Sequence, residues 1–209
     1  MVAVSSKRKV FRTKFAKHEI PKSLIYEEYD GKHMYYRGYK EVLNELKTFE
    51  EIMGESDTRA IIIGVLLKYL FKNLDEDKYF IVTTKVGFHL KKRSNISSDI
   101  VIYDKAKLQN HKLKDKYLDI PPLAVIEVDI QGDTADFGIS EMDYYGTETQ
   151  KLLDFGVKEV IWFFSGIKKQ IVAQAGQDGI ISSWEKNVTL LEEYQFSLAQ
   201  LLKKEGFKL

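Results

Sequence analysis

The stretch PPLAVIEVDI, residues 121–130, constrains the fold more than any other part of the chain. Proline tolerates the first position of a strand but not its middle, so Pro121 and Pro122 mark where a strand begins. Leu123, Ala124, Val125, Ile126, Val128 and Ile130 then place apolar residues on both alternating faces, the pattern of a strand inside a core. Such a strand should be apolar throughout, yet it carries Glu127 and Asp129. An ionised carboxylate in a protein interior is costly unless it is paired or binds a metal. Two residues apart on a strand, these acids are expected on one face. Either that face is open to water or the acids hold something positive.

The surrounding pattern supplies the layers such a strand needs. An aromatic strand is expected over residues 32–39 and a helix over 41–54, stopped by Gly54. SDTRAIIIGVLLKYLFKNL, residues 56–74, has a Ser or Asp cap and apolar residues almost all round, as a buried helix does. Residues 78–90 read as a strand or hairpin and 98–104 as a short strand opened by Asp99. A polar loop, 105–119, leads to the strand 123–130. In residues 139–156, Ile139, Met142, Tyr145, Thr149 and Leu152 recur at helical spacing, and Gly156 ends the helix. Residues 157–165 form another strand, KKQIVAQ and GIISSWE continue as antiparallel strands, and SLAQLLKK is a short C-terminal helix. The central order is helix, strand, strand, strand, helix, strand. The second helix is a crossover, which makes this an α/β layer arrangement with a mixed sheet flanked by helices.

Composition fits a globular chain. Its 209 residues suffice for one large domain, with 44% hydrophobic and 30% charged residues. The absence of cysteine excludes disulfides, zinc knuckles and thiol nucleophiles. The most apolar run, residues 60–71, is short for a bilayer and interrupted by Lys68, and no apolar segment of a signal peptide follows the basic N-terminus. The expected compartment is the cytoplasm, with no membrane partner. The net charge of +1 does not suggest a generic polyanion binder. The charge is uneven, however. Residues 1–22 hold Lys7, Arg8, Lys9, Arg12, Lys14, Lys17 and Lys22 against Glu19, and residues 91–93 are Lys-Lys-Arg. These are either solvated surface or phosphate contacts. The division expected is a basic extension over 1–22 and one domain over 23–209.

The acids narrow the chemistry. Asp99 begins one core strand and Glu127 lies late in the next, and neighbouring strands are close enough for the two to share one divalent cation. Neither a G-x-S-x-G elbow nor a P-loop is present. His18, His33, His89 and His111 show no ligand spacing, though His89 alternates into a strand and could face a site. The tyrosines of MYYRGY suit a core or an interface better than base stacking.

SDIVIYD, then PPLAVIEVDI, then TQKLLDFGVKEVIWFF resemble, in that order, the PD-(D/E)xK nuclease superfamily and within it the bacterial Uma-type group of restriction-endonuclease-like proteins. The resemblance spans about residues 32–174 and implies a restriction-endonuclease-like core with a metal-dependent phosphodiesterase site. Asp99 matches the Asp of the PD element, with Ser98 in place of its Pro. Glu127 matches the first residue of (D/E)xK, and Asp129 stands where its Lys would be. The resemblance implies Lys151, on the following helix, as the replacement lysine, with Asp129 as an added metal ligand or a partner for Lys151. A local pairing of Lys151 with Glu148 or Asp154 is the competing expectation. A further acid, Glu51 or Glu55, is available from the first helical region. The expected activity is Mg²⁺- or Mn²⁺-dependent hydrolysis of nucleic acid, DNA first, and a homodimer would suit a duplex cut on both strands. The alternative is a non-catalytic nucleic-acid- or protein-binding module on the same fold.

Overall fold

The computed structural model describes residues 20–29, 31–54, 56–91, 94–112 and 116–208. The basic extension expected over 1–22 falls almost wholly outside them, as do Glu55, Lys92 and Arg93. The chain runs β1 (Ile25–Tyr29), β2 (Lys32–Tyr35), α1 (Tyr39–Leu43), α2 (Phe49–Met53), α3 (Asp57–Asn73), β3 (Tyr79–Lys91), β4 (Ser94–Asp104) and α4 (Lys105–Gln109). It continues through β5 (Ala124–Val128), α5 (Thr134–Phe137), α6 (Glu141–Phe155), β6 (Glu159–Phe164), β7 (Lys169–Gln174), β8 (Ile180–Ser183), β9 (Val188–Leu190), β10 (Tyr194–Phe196) and α7 (Leu198–Lys204).

One eight-stranded sheet has the order β2-β1-β4-β5-β6-β7-β8, with β3 also paired to β4, while β9 and β10 form a separate hairpin. β5 and β6 are parallel and joined through the α6 crossover, whereas β4–β5 and β6–β7 are antiparallel. The sheet is therefore mixed and flanked by helices, as expected from the order of elements.

Alternation along the central strands divides the core in two. Ile100, Ile102, Ala124, Ile126, Val128, Ile161 and Phe163 share one cluster with α3 and α7 residues such as Leu66, Leu70 and Leu202. Val101, Tyr103, Val125, Val160 and Trp162 share the other with Tyr144, Tyr145 and Leu152 of α6. Asp99 and Glu127 have the parity of Val101 and Val125, so the pleat turns both acids toward the α6 layer.

Several local expectations are corrected. The helix expected over 41–54 is two short ones. Glu45 has φ of 58°, and Thr48 starts α2 with a capping box in which the Glu51 side chain accepts from the Thr48 N–H. Tyr39 opens α1 instead of ending a strand, because Gly38 turns the chain with φ of 89°. The polar loop contains α4, whose N-terminus is capped by Asp104. Met142 is 53% exposed, outside the buried face of α6. β1 was not foreseen, because its buried position is Glu27 and no apolar alternation announces it.

Among the described residues no helix is long and apolar enough to cross a membrane. Ile126 sits at the centre of the sheet, fully buried and paired with Ile100 on one side and Ile161 on the other. Ile126→Ala should cost about 2–5 kcal/mol in urea unfolding. A loss below about 1 kcal/mol would mean that the sheet centre repacks around the missing atoms.

Candidate active site

The ladder that pairs Ile100 with Ile126 brings Asp99 alongside Glu127 one step further on. The backbone N–H of Asp99 donates to Glu127 Oε2 at 3.3 Å, and that of Val128 donates to Asp99 Oδ2 at 2.9 Å. Asp99 Oδ1 accepts from Arg59 Nη2 in a buried ion pair. Arg59 lies in the first turn of α3, and its Nε donates to the Val128 carbonyl at 2.6 Å. The guanidinium thus ties the end of β5 to the Asp99 carboxylate.

Two more acids approach from the α6 side. Glu148 of α6 is 3% exposed and Glu27 of β1 is 7% exposed. The Tyr144 hydroxyl donates to Glu27 Oε2 at 2.6 Å, linking β1 to α6 across the cluster. Lys151 lies one turn beyond Glu148, with its Nζ buried 3.4 Å from the centre of the Tyr29 ring. Glu127 Oε1 and Glu148 Oε2 are buried without a hydrogen-bond partner among the described residues.

This crowding sets the electrostatics. Burial raises the Glu127 carboxyl well above the usual range, and the neighbouring Asp99 and Glu148 charges raise it further. The Ser98 hydroxyl and Arg59 act in the opposite direction. Burial likewise raises Glu148, Glu27 adds to the effect, and Tyr144 and Lys151 oppose it. The field of the same four acids, after burial, raises the Tyr26 hydroxyl. Four carboxylates therefore face two cations in a largely dry space.

The structure brings Asp99 and Glu127 together and sets Lys151 beside Glu148, but Asp129 is not part of this group. Its φ of 52° breaks the strand alternation, so it does not share the face of Glu127 as expected. Asp129 Oδ1 instead accepts from Ser165 N–H at 2.8 Å and fixes the β6–β7 turn. There it lines a cleft of about 910 Å³, together with Arg37, Lys47, Arg59, Gln131 and Tyr145. Glu51 also borders this cleft, on the far side of its capping box. His89 is exposed and its Nδ1 lies 2.7 Å from Asn95 Oδ1. The local pairing weighed for Lys151 is partly present: Glu148 is its near neighbour inside the cluster, whereas Asp154 accepts from Gln150.

Sequence reasoning missed Glu27, Arg59 and, as a member of the site, Glu148. The one signal for Arg59 was a charge in the first turn of a helix otherwise apolar all round.

No known family profile matches the chain, and no curated protein matches it. Among solved structures it is similar to one described as a "putative nuclease belonging to DUF820" from Anabaena variabilis ATCC 29413. The two share a TM-score of 0.58 and 12% identity, over 85% of this chain and 89% of that one. The likeness is one of fold. It bears out the mixed α/β architecture expected from the sequence.

Two outcomes follow from the buried charges. Arg59→Gln leaves Asp99 without its guanidinium beside Glu127, and should cost about 3–5 kcal/mol in urea unfolding. A loss under about 1 kcal/mol would show that the ion pair is replaceable by solvent. The raised acids also set a pH dependence. The folded state keeps protons on Glu127 and Glu148 that the unfolded chain has already released. Stability therefore falls as pH rises above the ordinary glutamate range, until the raised values are passed. In metal-free buffer, Glu148→Gln should flatten this decline and melt higher than wild type near neutral pH. The part due to the raised Glu159 should remain. An unchanged slope would exclude Glu148 as a source.

Proposed function

We propose that the protein is a divalent-metal-dependent nuclease of the restriction-endonuclease-like, Uma-type kind. The observation that carries this reading is the side-by-side burial of Asp99 and Glu127, with an open carboxylate oxygen on Glu127 and the Lys151 ammonium beside the neighbouring Glu148. Among the described residues no set of three or more His, Asp or Glu side chains is arranged to hold a metal ion. Mg²⁺, however, binds through one or two carboxylates and retains several waters. Asp99 and Glu127 supply that donor set, and a dication would relieve the repulsion that raises Glu127. Asp129 is left out of the ligand set.

The cation would supply Lewis-acid neutralisation of the phosphodiester charge. The remaining work belongs to the chain. Arg59 and the Val128 N–H hold Asp99, and the Asp99 N–H holds Glu127, so the two carboxylates are positioned by the chain. Lys151 offsets the negative excess of the acids and places a proton donor beside them. Tyr144 and Glu27 lock α6 against β1 and so fix where Glu148 and Lys151 stand.

A second reading has its own support. Arg59 already neutralises Asp99, as in a cluster that needs no metal. A nucleic-acid- or protein-binding module would show this arrangement and no hydrolysis.

Calorimetric titration with Mg²⁺ and Mn²⁺, paired with cleavage of plasmid DNA and labelled DNA and RNA oligonucleotides, separates the two. Wild type should bind the cation and cleave only in its presence. Glu127→Gln should lose both properties. Lys151→Met should keep cation binding and lose cleavage by about 100-fold or more. Absence of cation binding by wild type, or cleavage that survives Glu127→Gln, would remove the nuclease reading.

A further inference from the structure

β3 departs from regular pairing at one place beside the acids. Thr83 pairs with Ile100, and the ladder resumes with Val86 opposite Ser98. Thr84 and Lys85 are therefore both set against the single residue Asp99, which defines a β-bulge. Both take left-handed backbone, with φ of 74° and 56°. That conformation is unfavourable for a residue with a Cβ, and especially for β-branched Thr84. Thr83 Oγ1 donates to the Asp99 carbonyl at 2.8 Å and holds the bulge to β4. An extra residue reverses the facing of those that follow, so the bulge decides where Lys85 points.

The Lys85 ammonium is half-buried and surrounded by neutral groups. Its Nζ donates to Gln131 Oε1 at 2.8 Å and to the Tyr36 hydroxyl at 3.3 Å. It lies 5.0 Å from the centre of the Tyr36 ring and 5.8 Å from that of Tyr26. Among the described residues it makes no ion pair. Gln131 also lines the 910 Å³ cleft. The cations on that cleft's own wall are all engaged. Arg37 pairs with Glu141 at 2.7 Å, Lys47 with Glu41 at 3.6 Å, and Arg59 with Asp99. Lys85 does not line the cleft itself; it meets the cleft margin through Gln131, and no described carboxylate forms an ion pair with it.

We infer that Lys85 is a phosphate-binding residue of the cleft, held ready by Gln131 and aimed by the bulge opposite Asp99. A phosphodiester oxygen reaching that margin replaces the Gln131 amide oxygen as acceptor. It converts a hydrogen bond from the ammonium to a neutral acceptor into an ion pair, and no carboxylate has to be displaced. This rests on the proposed nuclease function and takes the cleft that Arg59 borders as the side on which nucleic acid lies. It also gives the two lysines different roles, since Lys151 faces the acids and Lys85 the backbone of the substrate.

The test measures binding, with cleavage suppressed. Fluorescence anisotropy with labelled single-stranded and duplex oligonucleotides, with Ca²⁺ in place of Mg²⁺, gives Kd as a function of salt. Lys85→Gln should weaken binding severalfold at low salt and lower the slope of log Kd against log salt by about 0.7–0.9, one phosphate contact. Lys85→Arg should restore the slope. If Lys85→Gln does not fold, reductive methylation of wild type read by mass spectrometry replaces it, and bound oligonucleotide should protect Lys85. An unchanged slope, or an equally methylated Lys85 in the bound protein, overturns this assignment and leaves the nuclease reading standing. Wild type that binds neither oligonucleotide overturns both.

Discussion

The contact between Asp99 and Glu127 governs the rest of the site. Two carboxylates on adjacent strands, deep in an otherwise apolar sheet, repel each other where water cannot screen them. Every polar feature nearby responds to that. Arg59 reaches from the first turn of α3 to Asp99, backbone N–H groups of Asp99 and Val128 donate to the acids, and Lys151 stands beside Glu148. The compensation is incomplete, since Glu127 and Glu148 remain displaced toward the protonated form. A core evolved for stability alone would place apolar residues at these positions, so the retained charge argues for chemistry or recognition.

The apolar strand with a misplaced glutamate, the Asp at the head of its neighbour and the helix that crosses to the parallel strand were all legible in the sequence. Each rests on a period that survives folding: the two-residue alternation of β4 and β5, or the helical spacing of Tyr145 and Leu152. What could not be read depends on contacts between distant segments. Glu27 sits in IYEEY, where the one buried residue is charged and its neighbours are half-exposed, so the pattern gives no inward face. Asp129 has the right spacing from Glu127, but a left-handed φ removes it from the strand's alternation. Glu148 reads as a surface partner for Lys151 until the sheet places β1 against α6.

The helices divide an apolar layer from a charged one. α3 and α7 cover one face of the sheet with an apolar layer. α6 covers the other, and on one side of a single helix it carries Tyr144, Glu148 and Lys151 at four- and three-residue spacing. Gly156, at φ of 109°, ends the helix in time for β6 to begin beside β5. The crossover that makes the sheet mixed is thus also what brings Lys151 beside Glu148.

The Tyr144–Glu27 hydrogen bond joins residues 117 positions apart. Contacts of such separation form late, after the local β3–β4 hairpin and the helices have formed. Asp99 and Glu127 lie only 28 positions apart and meet as β5 joins β4, whereas Glu27 reaches α6 only when the topology is nearly closed. The repulsion that Glu27 adds to Glu148 therefore arises only late, once these distant segments are joined. Kinetically, this part of the cost of keeping a charged centre is placed where it weakens the native state while interfering least with the search for it.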